Sequence, residues 1–188
     1  MKLYEHELND YRELNTIARK GGVVLFGSSF AKNIPTSELV QSFELDCSLY
    51  NRSITDLSVF DAGSVLEDCV FNLEPNHILI QLGETDLERG YKSISEIISQ
   101  YELIITQIRS RLKKCHITLV SVCDPDASLF PSELNAQISS LAARTGCRYA
   151  DISSSQTASS SEIRVFCMLK RFFRDRITDY DAMHTLFA

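Results

Sequence analysis

Apolar residues fall along this chain in five short runs, separated by longer stretches with a helical period. Residues 23–26, Val-Val-Leu-Phe, lie between glycines and read as a strand buried on both faces. Residues 77–83 (His-Ile-Leu-Ile-Gln-Leu-Gly) and 117–122 have the same form, and 45–50 and 148–152 predict two shorter strands. Residues 30–43 predict a helix after the first strand. A second helix, over 61–73, turns Val65, Leu66, Cys69 and Val70 inward. The longest spans 94–112, with Ile94, Ile97, Ile98, Tyr101, Ile104, Ile105 and Ile108 on one side. Another opens at Pro131, which suits a first helical turn, and runs to Thr145. Ser159 and Glu162 fit a capping box for a last helix over 160–173. Ahead of the first strand, residues 5–20 place Leu8, Tyr11, Leu14 and Ile17 at a spacing of three, which predicts an amphipathic helix stopped by Gly21-Gly22.

Strands that alternate with helices call for right-handed crossovers and a parallel sheet covered on both faces. The expected fold is one three-layer α/β/α domain over residues 1–188, with a parallel, flavodoxin-like sheet of five strands. Residues 1–20 add an amino-terminal helix. No internal repeat or linker interrupts the pattern.

Charge and cysteine usage narrow the classes. The net charge is −6 and no basic stripe appears, which argues against a nucleic-acid partner. The amino terminus is too charged for a signal peptide and no apolar run reaches a membrane span, so the expectation is a cytoplasmic protein with no membrane partner. The six cysteines show neither a Cys-x-x-Cys pair nor a cysteine–histidine cluster with zinc spacing, which predicts reduced thiols and no metal site.

The residues that carry chemistry sit at strand ends and in the tail. Gly27-Ser28-Ser29 follows the first strand, Asn51-Arg52-Ser53 the second, and Gly83-Glu84-Thr85-Asp86 the third. Parallel strands deliver their carboxyl ends to one edge, so these three groups converge there. A serine nucleophile needs a base within reach and a carboxylate to orient that base, and Asp181 with His184 supplies both. The plain alternative is that Ser28 and Ser29 only cap the following helix. Structural roles are expected for His77 and His116 at strand starts and for Asp86 in its loop. Asp124 and Asp126 read as an exposed turn, and Lys170, Arg171, Arg174 and Arg176 as a solvated helix face.

Taken in order, these blocks resemble the SGNH hydrolases, also called the GDSL esterase/lipase family, over roughly residues 23–184. The family's Gly-Asp-Ser is matched by Gly27-Ser28-Ser29, its Gly-x-Asn-Asp by Gly83-Glu84-Thr85-Asp86, and its closing Asp-x-x-His by Asp181 and His184. The resemblance implies Ser29 as nucleophile, His184 as base and Asp181 as its orienting carboxylate. It places the oxyanion or substrate contacts at Ser53, Gly83 and Thr85. It further implies a serine esterase acting on a small acyl ester without cofactor. Three positions depart from the pattern: Ser28 replaces aspartate, Ser53 glycine and Thr85 asparagine. Those departures keep a second expectation open, a weakened or retired hydrolase that binds a ligand or partner.

Overall fold

The computed structural model describes residues 4–123, 131–153 and 162–173. Its elements in chain order are α1 (Glu5–Asn15), β1 (Val23–Gly27), α2 (Ser29–Lys32), α3 (Thr36–Ser42), β2 (Leu49–Asn51), α4 (Val59–Cys69), β3 (His77–Gln81), α5 (Glu84–Arg89), α6 (Ile94–Arg111), β4 (His116–Val120), α7 (Ser132–Thr145), β5 (Arg148–Ala150) and α8 (Glu162–Leu169). All four strand pairings are parallel, in the order β2-β1-β3-β4-β5. This is the flavodoxin-like order expected. β1 and β3 are buried at every position, as strands with both faces covered must be.

Alternate strand residues enter two cores. Val24, Phe26, Ile78, Ile80, Ile117 and Leu119 pack with α1, α4, α6 and α7 on one face. Val23, Leu25, Leu79 and Val120 pack with α2, α3 and α8 on the other, where Phe166 and Phe173 are fully buried. Among the described residues no helix is long and apolar enough to cross a membrane.

Three expectations change. The helix predicted over 30–43 is two helices, because Pro35 lacks an N–H and disfavours helical backbone at Ile34; it stands instead at the entry to α3. A short helix, α5, forms directly after Gly83, where none was expected. The third change concerns α1. Leu14 is 47% exposed and Ile17 82%, so the face predicted from a spacing of three is not the buried one. A step of three residues falls about 60° short of a full turn and drifts around the helix. The stripe that stays on one side runs through Tyr4, Leu8, Tyr11 and Asn15, and these residues meet the rest of the protein.

α6 begins with a reciprocal capping box, Ser93 with Glu96, and buries the six residues Ile97, Ile98, Tyr101, Ile104, Ile105 and Ile108. The Tyr101 hydroxyl donates to the Leu82 carbonyl and accepts from the Leu82 N–H, pinning the turn that leaves β3. At the opposite end of β3, His77 is 2% exposed and shares a 2.7 Å hydrogen bond with Thr118. Burial, then Arg148 and His116, push its pKa down to about 4.

An unfolded His77 takes up its proton near pH 6.5, whereas the folded one resists down to about pH 4. Between those values the unfolded chain binds more protons, so stability falls as pH is lowered through this window. We expect urea unfolding at pH 7.5 and at pH 4.5 to show a wild-type loss of which about 2–3 kcal/mol is absent in His77→Gln, a variant that keeps a partner for Thr118. An equal loss in both proteins refutes this assignment.

Candidate active site

β1 leads to the site and ends without room for a side chain. A Cβ on Gly27 would lie 2.4 Å from the Gln81 carbonyl oxygen and 2.7 Å from Ala31 Cβ, so only glycine lets α2 begin here. Ser28 is extended and fully buried, and Ser29 opens α2 with its side chain partly exposed. Neither hydroxyl caps the helix. The Ser28 hydroxyl is paired with Thr85 Oγ1 at 2.8 Å. The Ser29 hydroxyl turns outward to Asp56, donating to Oδ1 at 2.9 Å and accepting from the Asp56 N–H at 2.9 Å.

Asp56 sits in the loop that follows β2. That loop keeps pairing with β1, Arg52 N–H to the Leu25 carbonyl and Ile54 N–H to the Gly27 carbonyl. Asn51 fixes the adjoining end of α2, its amide nitrogen donating to the carbonyls of Ala31, Lys32 and Ile34. Its Oδ1 accepts the Ser53 N–H at 3.1 Å. The backbone donor expected at Ser53 is therefore occupied, and Ser53 is fully buried. The donor beside Ser29 is the amide of Asp56 instead. Its φ of +54° is a left-handed conformation that turns the N–H inward. One stripe of α1 holds this loop. Tyr4 Oη lies 3.1 Å from Asp61 Oδ2 and 3.4 Å from the Asp56 carbonyl, Glu7 accepts from the Thr55 N–H and hydroxyl, Tyr11 Oη donates to the Ser53 carbonyl, and Asn15 accepts from Arg52 Nε.

Below Ser29 lies a buried polar layer. Gly83 makes the turn into α5 with φ +106°, and a Cβ there would touch Leu134 Cδ2 at 3.0 Å. Thr85, 3% exposed, spends its hydroxyl on Ser28 and is not turned to the Ser29 oxygen. Asp86 accepts from the Ser58 hydroxyl at 2.5 Å and the Val59 N–H at 2.9 Å, so it anchors the amino end of α4, a structural role as expected. Glu84 carries a second buried carboxylate, which the sequence reading had not singled out. It accepts from the Phe30 N–H at 2.8 Å and from Gln81 Nε2 at 3.3 Å. Burial holds its carboxyl above the usual range, with the Phe30, Gln81 and Ser28 hydrogen bonds pulling the other way. Beside it, Gln81 Oε1 is the one buried side-chain polar atom without a partner among the described residues. Asp181 and His184 lie outside the described residues, as do Asp124, Asp126, Arg174 and Arg176. Among the described residues no group of His, Cys, Asp and Glu side chains is arranged to hold a metal ion.

No family model matches the chain, and no curated protein matches its sequence. Solved structures do. A Streptococcus pneumonia structure described as that of a platelet activating factor superposes with a TM-score of 0.79, at 17% identity over 92% of this chain and 94% of that one. A Bacteroides fragilis protein assigned as an acylhydrolase gives 0.70, at 14% identity over 89% and 97%. A catalytic mutant of an acetylxylan esterase from Geobacillus stearothermophilus gives 0.65, at 14% identity over 84% and 97%. The fold is that of the SGNH hydrolases. Within this SGNH fold, β1 presents Ser29, the loop after β2 presents the Asp56 amide, and α5 packs beneath them.

Glu84 gives a pH dependence of its own. A carboxyl raised on folding means that the folded protein holds its proton longer than the unfolded chain, so this group lowers stability as pH rises from about 4.5. Glu84→Gln keeps an acceptor for the Phe30 N–H and offers a donor to Gln81 Oε1. The variant is expected to melt a few degrees above wild type at pH 7.5 and level with it near pH 4. A variant less stable at both pH values overturns this account.

Proposed function

We infer that this protein is a serine ester hydrolase. Ser29 Oγ attacks the acyl carbon, His184 accepts the hydroxyl proton and returns it to the leaving alcohol, and Asp181 holds the imidazole in the required tautomer. Water then releases the acid from Ser29 by the reverse sequence. The tetrahedral oxyanion is held by the backbone amides of Ser29 and Asp56. The observation that carries this reading is the Ser29 hydroxyl itself: partly exposed at the carboxyl end of β1, it meets a backbone N–H from a left-handed residue at 2.9 Å. The neighbours described as an acylhydrolase and an acetylxylan esterase support esters as the substrate class.

A second reading, a ligand-binding protein on the same fold, is favoured by Thr85. Its hydroxyl is spent on Ser28, which leaves the oxyanion without a side-chain donor from α5. Removing one such donor costs about 2.7–4 kcal/mol of transition-state stabilisation, or about a hundred- to thousandfold in rate. The active-enzyme reading therefore predicts a slow hydrolase.

A fluorophosphonate probe separates the two. The enzyme reading expects covalent labelling of one residue, mapped by mass spectrometry to Ser29 and lost in Ser29→Ala and His184→Ala, together with slow hydrolysis of a small activated acetyl ester. Absence of labelling and of hydrolysis above the Ser29→Ala background establishes the binding protein instead.

A further inference from the structure

Asp56 brings a carboxylate within one hydrogen bond of the nucleophile. Its Oδ1 accepts the Ser29 hydroxyl at 2.9 Å, on the side from which its own N–H reaches the same oxygen. The residue is exposed, and among the described residues no Lys, Arg or His comes within salt-bridge distance of its side chain. The cations on this side bond groups other than the Asp56 carboxylate. Arg89 Nη2 donates to the Asp56 backbone carbonyl at 3.3 Å, and Lys32 pairs with Glu7. Tyr4 Oη also faces that carbonyl, at 3.4 Å, and lies 3.1 Å from Asp61 Oδ2.

Resting on the serine-hydrolase reading above, we propose that Asp56 is a specificity-determining residue that selects esters carrying a cationic, ammonium-type group beside the scissile bond. A substrate carbonyl that uses the Asp56 amide must enter next to the Asp56 carboxylate. Its oxygen becomes negative there, so a neutral ester meets repulsion as the tetrahedral intermediate forms, and an anionic ester meets more. A cation on the leaving group cancels that repulsion. It also occupies the acceptor now used by Ser29, which releases the hydroxyl to the base. The step is ordinary acyl transfer: the Ser29 Oγ–carbon bond forms, the proton passes to the base, and the carbon–heteroatom bond breaks as the leaving group takes that proton.

The test uses the full chain and two acetyl thioesters of one shape, S-(2-trimethylammonioethyl) thioacetate and its uncharged S-(3,3-dimethylbutyl) isostere, with thiol release as the readout. The expected kcat/KM ratio, cationic over neutral, is tenfold or more in the wild type at low salt and shrinks as salt is raised. In Asp56→Asn, whose side chain suits a left-handed backbone, the ratio falls to about one. A wild-type ratio near one, or the same ratio in Asp56→Asn, overturns the selection while leaving the esterase reading in place. Hydrolysis of neither thioester above the Ser29→Ala background, with no labelling of Ser29 by the matched cationic and neutral phosphonates, overturns both.

Discussion

The site depends on how the five-residue loop 52–56 is held. Ordering five residues costs about 1–2 kcal/mol of backbone entropy each. Ile54 and the adjacent Leu57 are fully buried and return about 1.5–3 kcal/mol apiece. Polar bonds at about 0.5–1.5 kcal/mol each supply the remainder, and one helix contributes five of them. Tyr4, Glu7, Tyr11 and Asn15 recur every three or four residues, so α1 offers a ladder of polar groups along a single stripe. Arg52 is sandwiched between the rings of Tyr11 and Tyr50, with its guanidinium carbon 5.1 and 5.4 Å from their centroids, which ties the start of the loop to the same helix. Without that ladder the left-handed backbone at Asp56 has little to over-determine it, and the amide beside Ser29 loses its aim.

The layer beneath Ser29 obeys a different constraint, the cost of leaving a buried polar group unpaired. In the resembled motif a carboxylate beside the nucleophile holds neighbouring loops, and here Ser28 stands in its place. A carboxylate still braces the amino end of α2, but it arrives from α5 as Glu84 and accepts the Phe30 N–H. Ser28 and Thr85 then satisfy one another, hydroxyl to hydroxyl. Gln81 Oε1 is left without a partner in the same layer, where burial also raises the Glu84 carboxyl above its usual range.

Periodicity made the sheet legible. Runs of four to seven apolar residues between glycines and polar turns permit little else, and 77–83 and 117–122 fall on β3 and β4. Pro35 was a visible stop inside the predicted helix 30–43, and reading it as one would have separated α2 from α3. The buried stripe of α1 was also present, at positions 4, 8, 11 and 15. Leu14 and Ile17 drew attention because they are apolar, although burial follows the helical stripe rather than the residue type. The backbone donor beside Ser29 could not be read locally. Ser53 and Asp56 lie three residues apart in one loop, and only the Asn51 side chain, which captures the Ser53 amide, decides which N–H remains for Ser29.

Electrostatics then sets how such a site can work. On the serine-hydrolase reading proposed above, a side-chain donor missing at Thr85 and a carboxylate at Asp56 act on the same atom, the oxygen that becomes negative. The first is worth about 2.7–4 kcal/mol. The second, for charges about 4 Å apart at an effective dielectric near 20, is worth about 4 kcal/mol before screening by solvent and salt. Both oppose the transition state more than the ground state, so together they depress the rate constant for chemistry rather than substrate affinity. The exposure of Asp56 reduces the second, since water reaches the carboxylate. In that reading the backbone amides work against a negative charge held beside them. Positive charge carried in by the substrate acts on that term directly, whereas added apolar contact would leave it unchanged.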